Sequence, residues 1–297
     1  MYRTAARALS ALALAVAAAA CGPSVTGSDD DQPIDAAVAI DGRVIDGPGG
    51  IDADETPPSL VYAHSGQTLY RIDTRTNQAI MIGAFTNLGT QSMTDIAVDR
   101  NGVMIGVTLN KIFSVDTSTA ACTLLASFTG TDNLTSLSFV PANPAQPDGP
   151  EVLVAATDTG AVIRIDVSGS TATSTVIGDY GQSGGMDVIS SGDIVYVRGF
   201  GTVATVDVGA TGGQDYLATI DPTSGWQATV IGTGTGFDKI FGVAFWGGTL
   251  YGFADSGAGN GGAFVRLDRQ TGAGTLIEAG TIRWFGAGVT TEAPIIP

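Results

Sequence analysis

Cysteine is almost missing from this chain. Only Cys21 and Cys122 are present, so no disulfide framework of the kind that staples small exported domains exists. Histidine occurs once, as His64, which rules out a multi-histidine metal centre. Charged residues are only 14% of the chain, and Lys plus Arg (13) are outnumbered by Asp plus Glu (29), giving a formal charge of −16. That balance excludes a surface built to hold a nucleic-acid backbone and leaves cationic partners or no charge-driven partner. No 3.6-residue period is sustained beyond the first twenty residues, so long amphipathic helices are also missing. What is abundant is glycine, 42 residues, in company with Val, Thr and Ser. This is the composition of short strands and tight turns.

The N-terminus carries an address. Arg3 and Arg7 form a basic head before an apolar run at 8–20. That run falls short of the roughly 20 residues a spanning helix needs but fits the core of a signal peptide, expected at 1–20. Ala18, Ala19 and Ala20 permit cleavage just before Cys21. The arrangement resembles a bacterial lipobox, whose cysteine receives the lipid and becomes the mature N-terminus. It departs from the usual pattern in carrying Ala18 where Leu is common. The resemblance implies lipidation at Cys21, and Gly22 rather than Asp implies sorting to an outer membrane. Soluble secretion is the alternative. Cys122 is then left alone, a small buried apolar residue. Residues 21–58 hold nine acidic side chains against Arg43 alone, with no aromatic and no periodicity. This reads as a disordered acidic tether, able to hold a domain at 59–297 on the order of 35 Å from its anchor.

Within 59–297 one phrase recurs. It appears as "LYRIDTRTNQAIMIG", "IFSVDTSTAACTLLA", "VIRIDVSGSTATSTVIG", "LATIDPTSGWQATVIG" and "FVRLDRQTGAGTLIEAG". Each is an alternating strand ending in Asp, a polar turn, and a second strand. The aspartates, Asp73, Asp116, Asp166, Asp221 and Asp268, are expected to accept bonds from backbone amides two or three residues on, closing each turn. They are structural rather than catalytic. Between these hairpins lies a second phrase with an inner apolar strand, a tight turn and another strand, as in "MTDIAVDRNGVMIGV" and "IFGVAFWGGTLYGF". Four strands in each unit of about 45 residues is the pattern of a β-propeller blade.

Counting gives four complete blades. A fifth is split, its inner strand coming from "WFGAGVTT" at the C-terminus and its other three from "SLVYAHSGQTLYRIDTRTNQAIMIG" at the start. The expected fold is all-β, a five-bladed propeller closed by pairing of N- and C-terminal strands, with six blades as the rival count. The chain resembles bacterial exported proteins built from LYxID-turn-xTxIG propeller repeats, many of them lipoproteins. That resemblance implies an architecture and an envelope location but no activity, since propellers host unrelated functions.

Aligning the inner strands puts Asp95, Ser136, Asp187, Gly242 and Gly288 at one equivalent position, around a channel mouth. Tyr180, Asp238 and Trp284 are expected close by. Asp95 and Asp187 offer acceptor oxygens to a polyol or to a cation such as calcium. Trp284 offers an aromatic face to a sugar. Two long loops, 199–214 and 255–262, open on the same face. "GQSGG" (181–185) matches a nucleophile elbow around Ser183, but strands flank it and no histidine follows. "GAGNGG" (257–262) lacks the helix a pyrophosphate site needs. "PANPAQPDGP" (141–150) is an exposed proline-rich insertion on the opposite face. The expectation is a monomeric, non-catalytic binding or scaffold module, lipid-anchored in the cell envelope, without a cofactor and facing an envelope glycan or protein. The alternative is a carboxylate-based glycoside hydrolase using Asp95 and Asp187, whose acid and base would have to share one cleft.

Overall fold

The computed structural model describes residues 59–128, 134, 136–209, 212–257 and 261–296. The expected signal sequence at 1–20, Cys21 and the expected tether at 21–58 lie outside the described residues. The chain divides between Glu55 and Thr56, and everything described belongs to the second unit.

Strands come in the order β1 (Val61–His64), β2 (Thr68–Asp73), β3 (Gln78–Ala84), β4 (Asp95–Val98), β5 (Met104–Val107), β6 (Lys111–Val115) and β7 (Cys122–Phe128). Then follow β8 (Ser138–Pro141), β9 (Glu151–Ala156), β10 (Ala161–Ser168), β11 (Thr171–Asp179), β12 (Gln182–Ser183), β13 (Met186–Val197) and β14 (Gly201–Val208). The last are β15 (Tyr216–Asp221), β16 (Gln227–Ile231), β17 (Ile240–Trp246), β18 (Thr249–Asp255), β19 (Gly262–Leu267), β20 (Gly274–Gly280) and β21 (Gly286–Val289). The fold is all-β. Among the described residues the only helical element is a 3-10 turn at Pro222–Ser224.

The sheets are ordered β21-β1-β2-β3, β4-β5-β6-β7-β11-β10-β9-β8, β12-β13-β14-β15-β16 and β17-β18-β19-β20. The eight-stranded sheet is two antiparallel meanders joined at their outer edges, where β7 and β11 run parallel for two residue pairs, Ser127↔Thr171 and Phe128↔Ala172. The innermost strands β4, β8, β13, β17 and β21 touch in a closed cycle, each lying against the next and β21 against β4. The sequence explains which strands lie inside. β1, β4 and β21 are buried at all four residues, as strands covered on both faces must be, whereas β3 and β20 expose most of theirs. Four outer strand pairs share a bulge at the same place, between Leu69/Tyr70, Ile112/Phe113, Val162/Ile163 and Phe264/Val265, which increases the local twist.

The first and last strands of the domain pair antiparallel, Val61↔Val289 through His64↔Gly286, as the split-unit reading requires. The chain then continues past β21 and is fixed below it. Val98 bridges Thr290, Thr290 Oγ1 donates to the Asp99 carbonyl (2.9 Å), and Thr291 Oγ1 donates to Glu151 (2.6 Å). Arg198 ties Asp148 of the proline-rich insertion to Glu292, and Arg100 donates to the carbonyls of Pro147 and Asp148. The insertion is therefore part of the closure.

Four of the five repeat aspartates cap their turns. Asp73 accepts from the Arg75 amide, Asp116 from Ser118 and Thr119, Asp221 from Thr223, and Asp268 from Gln270 and Thr271. Asp166 departs from the expectation. β10 runs on to Ser168 and turns at Gly169, so Asp166 sits within the strand opposite Thr173 and is held by Arg164 Nη2 at 2.6 Å. Cys122 is buried, and burial pushes its thiol up to about 11, making it unreactive at neutral pH.

Candidate functional site

The inner strands begin around a buried polar cluster. β4 opens with Asp95 and β1 ends with His64, which the β1–β21 register sets opposite Gly286. His64 is fully buried, and its Nδ1 donates to the Ser65 carbonyl at 2.9 Å, so Nε2 carries a lone pair. Nε2 lies 3.9 Å from Asp95 Oδ1. Burial lowers the His64 pKa from 6.5 to about 4, so the ring is neutral under physiological conditions. A Cβ on Gly286 would sit against both Asp95 Oδ1 and His64 Nε2. Glycine there lets the β21 backbone close over the pair.

The second acid is Asp193, not Asp187. β13 is twelve residues long and irregular between Ser190 and Ile194, so its inner segment starts at Asp193. Asp193 Oδ2 accepts from the Val243 amide (2.9 Å), and Asp95 Oδ1 from the Ile96 amide (2.9 Å). The Leu137 amide serves both carboxyls. Both are 1% exposed. Burial raises both pKa values well above the carboxylate range, and the charge of Asp193 raises Asp95 further. Both carboxyls are thereby favoured in the neutral, protonated form. Tyr180, also fully buried, feels Asp193, and burial followed by that charge raises its phenol pKa. Asp95 Oδ2, Asp193 Oδ1, His64 Nε2 and Tyr180 Oη have no protein hydrogen-bond partner. Asp193 is linked onward, because Thr205 Oγ1 accepts from its amide (3.1 Å) and donates to the Ile240 carbonyl (2.9 Å).

The residues expected at an open mouth therefore separate. Asp95 and Tyr180 lie in this sealed centre, and Ser136 is buried nearby with its Oγ accepting from the Ala156 amide at 2.7 Å. Asp187 is exposed on the other side of the β13 irregularity, where Gln182 Nε2 donates to it (2.7 Å). Asp95 and Asp187 thus share no solvent-reaching cleft. Asp238 is 45% exposed beside Lys239, near the buried Asp215, whose pKa burial raises to about 7 against the Ile240 amide that it accepts. Trp284 is core rather than a free platform, 5% exposed, with Tyr70 and Phe253 edge-on to it at 5.3 Å each. Ser183 belongs to a two-residue strand before a hairpin turn at Gly184 and Gly185. Among the described residues no group of three or more His, Cys, Asp or Glu is arranged to hold a metal ion, and the candidate calcium position at Asp95 and Asp187 is not assembled.

His64 and Asp193 are what the sequence reading missed. The signal for Asp193 was present, because "DIAV" at 95–98 and "DIVYV" at 193–197 begin alike. The competing "MDVIS" drew the alignment six residues too early.

A groove lies elsewhere, at the rim, between the end of β20 and the start of β3. It encloses ≈ 500 Å³, with Gln78, Ala79, Glu278 and Thr281 at its walls and Phe264 and Trp284 at its floor.

No protein-family profile matches the chain, and no curated protein matches it. Solved structures do. It is similar to a protein of unknown function from Bacteroides caccae, at 10% identity over 74% of this chain and 72% of that one, with a TM-score of 0.37. A protein from Lactobacillus plantarum matches at 12% identity over 78% and 74%, with a TM-score of 0.39. A symmetrical protein whose de novo evolutionary emergence is shaped by folding constraints matches at 14% over 80% and 99%, with a TM-score of 0.46. Similarity at this level assigns no function.

Proposed function

We propose that this chain is an exported, lipid-anchored, five-bladed β-propeller that acts as a non-catalytic binding module of the cell envelope. The count of five is supported by the closed cycle β4, β8, β13, β17, β21, each member heading a meander with three further strands. A sixth unit would need another inner strand in that cycle. The anchor is supported by Arg3, Arg7, the apolar run at 8–20 and Cys21 directly after three alanines. An envelope glycan or protein remains the partner class.

One observation carries the non-catalytic reading. The two carboxyls that converge, Asp95 and Asp193, are sealed at 1% exposure, too deep to exchange protons with a substrate. A general acid or base must come within hydrogen-bond reach of the reacting group. The centre therefore serves as a rigid hub, and recognition falls to the rim and loops.

Two measurements test this reading. Metabolic labelling with a radioactive fatty acid should mark the full chain and should not mark Cys21→Ser. Labelling that survives the substitution removes the anchor. The full chain carrying Cys21→Ser, immobilised and exposed to host envelope glycans and proteins, should retain a specific component. Retention no better than that of heat-unfolded protein, or turnover of a glycan substrate lost in Asp95→Asn, overturns the binding role.

A further inference from the structure

Four of the five places where one meander meets the next are zipped by backbone hydrogen bonds. At the first, the Thr86 amide donates to the Ala120 carbonyl (3.3 Å) and Thr86 bridges Ala121 in parallel. At the second, β7 pairs with β11 and the Ser127 amide donates to Ser170 (3.0 Å). At the third, the Asp179 amide donates to Gly225 (3.1 Å) and the Ala228 amide to Tyr180 (3.0 Å). At the fourth, the Gly274 amide donates to Thr235 (2.8 Å). At all four junctions the turn leading into the outer strand carries a left-handed residue, Ala120 (φ 60°), Gly169 (φ 59°), Trp226 (φ 71°) or Gly272 (φ 73°).

The fifth junction, between β20 and β3, has the same left-handed residue in Asn77 (φ 57°). Yet among the described residues no backbone hydrogen bond joins 77–79 to 280–284. The groove of ≈ 500 Å³ lies here instead. The two sides are held by aromatic contact beneath it, through Trp284 against Tyr70 of β2 and Phe253 of β18. Asn77 Oδ1, next to the groove residue Gln78, is buried without a partner.

We infer that this unzipped junction is a slot for an extended peptide strand of a partner protein, one carrying a basic side chain. The inference rests on the binding-module reading and names the site and ligand class within it. The missing feature is main-chain pairing between two strand edges, and an extended peptide supplies N–H and C=O groups to both at strand spacing. Alternate side chains of such a strand point down and up. Small apolar ones meet the Phe264–Trp284 floor. A lysine or arginine meets the exposed Glu278, and no basic residue lines the groove to oppose it. A sugar fits less well, because Phe264 and Trp284 are 4% and 5% exposed and present no free ring face for stacking.

The test is selection of displayed random heptapeptides on the full chain carrying Cys21→Ser. Enriched heptapeptides should alternate Lys or Arg with Val, Ile or Thr. Their affinity should fall at least tenfold in Glu278→Lys, and their binding should slow amide exchange at 78–79 and 280–282. Thr281→Pro, which removes one edge donor, should also weaken them. Should that variant unfold, Glu278→Lys at an exposed position and the exchange map decide alone. Enriched peptides that bind Glu278→Lys as tightly as the wild type, or protect amides elsewhere, overturn the slot. So does failure to enrich any peptide, or binding of an oligosaccharide at these residues in preference. An envelope component still retained by Glu278→Lys leaves the module standing without this site, whereas no retention by any variant removes both.

Discussion

Aspartate has opposite properties in two regions of this molecule. At the surface, Asp73, Asp116, Asp221 and Asp268 sit at the ends of strands where backbone amides and hydroxyls converge on one oxygen. These donors hold all four carboxyls below their usual range. At the centre, Asp95 and Asp193 also accept amides, yet burial lifts both well above it, and the Asp193 charge lifts Asp95 further. Donor number alone does not decide the protonation state. The difference lies in water, which solvates the turn acids and is excluded from the central ones.

The largest effect expected from breaking this contrast is Asp193→Ala. It strands the Val243 amide and leaves Asp95 without its neighbour, at a cost of about 3 kcal/mol in urea unfolding. Asp193→Asn keeps an acceptor for that amide and should cost under ~1 kcal/mol at neutral pH. Equal losses for the two would show that accepting the Val243 amide is not what stabilises this site. The sign of the pH dependence follows from the raised carboxyl pKa values. Their contribution is complete below the unfolded carboxylate pKa and is lost as pH rises through the folded values, so Asp193→Asn should flatten the alkaline side.

His64 acts in the other direction. Its folded pKa of about 4 lies below the ordinary 6.5. Stability is therefore full above pH 6.5 and falls as pH drops toward 4, by about 3 kcal/mol in all. Chemical unfolding from pH 7 to pH 4 should show this slope, and His64→Gln should remove most of it. A wild-type curve level across that range would contradict a neutral, buried imidazole.

Gly286→Ala places a methyl against Asp95 and His64 and should cost about 2 kcal/mol, while Gly288→Ala, whose nearest neighbour is the Ile96 carbonyl at 3.0 Å, should cost less. The smallest effect belongs to the surface. Asp268→Ala loses two amide bonds in water and should lower stability least of these variants, with little change in its pH profile above pH 5. A turn acid that proved as costly as Asp193 would erase the distinction between the two regions.

Much of the architecture was legible because the same physics repeats. Alternating strands, capped turns and buried inner runs recur with each unit, so the pairing of 61–64 with 286–289 follows from counting. Asp166 was misread because its turn is tighter by about two residues, and an Asp followed by Val-Ser-Gly-Ser looks like a cap on paper. The centre was half legible. Asp95 stood out, but an irregularity inside β13 moves Asp193 into the place assigned to Asp187, and a bulge leaves no mark in alternation. Trp284 and Tyr180 could be placed near the right strands but not turned, since burial depends on how adjacent sheets lean together. The open junction at β20 and β3 was invisible for the same reason, being the absence of bonds between segments some two hundred residues apart.

The pairing of Val61–His64 with Gly286–Val289 also constrains how the domain comes into being. Its earliest strand has to wait for its latest, so a growing chain can form local hairpins but cannot lock its ring until synthesis has passed residue 289. Contacts of such long sequence separation are made slowly. A chain held loose in this way meets what the proposed export would require, a polypeptide whose ring has not yet locked.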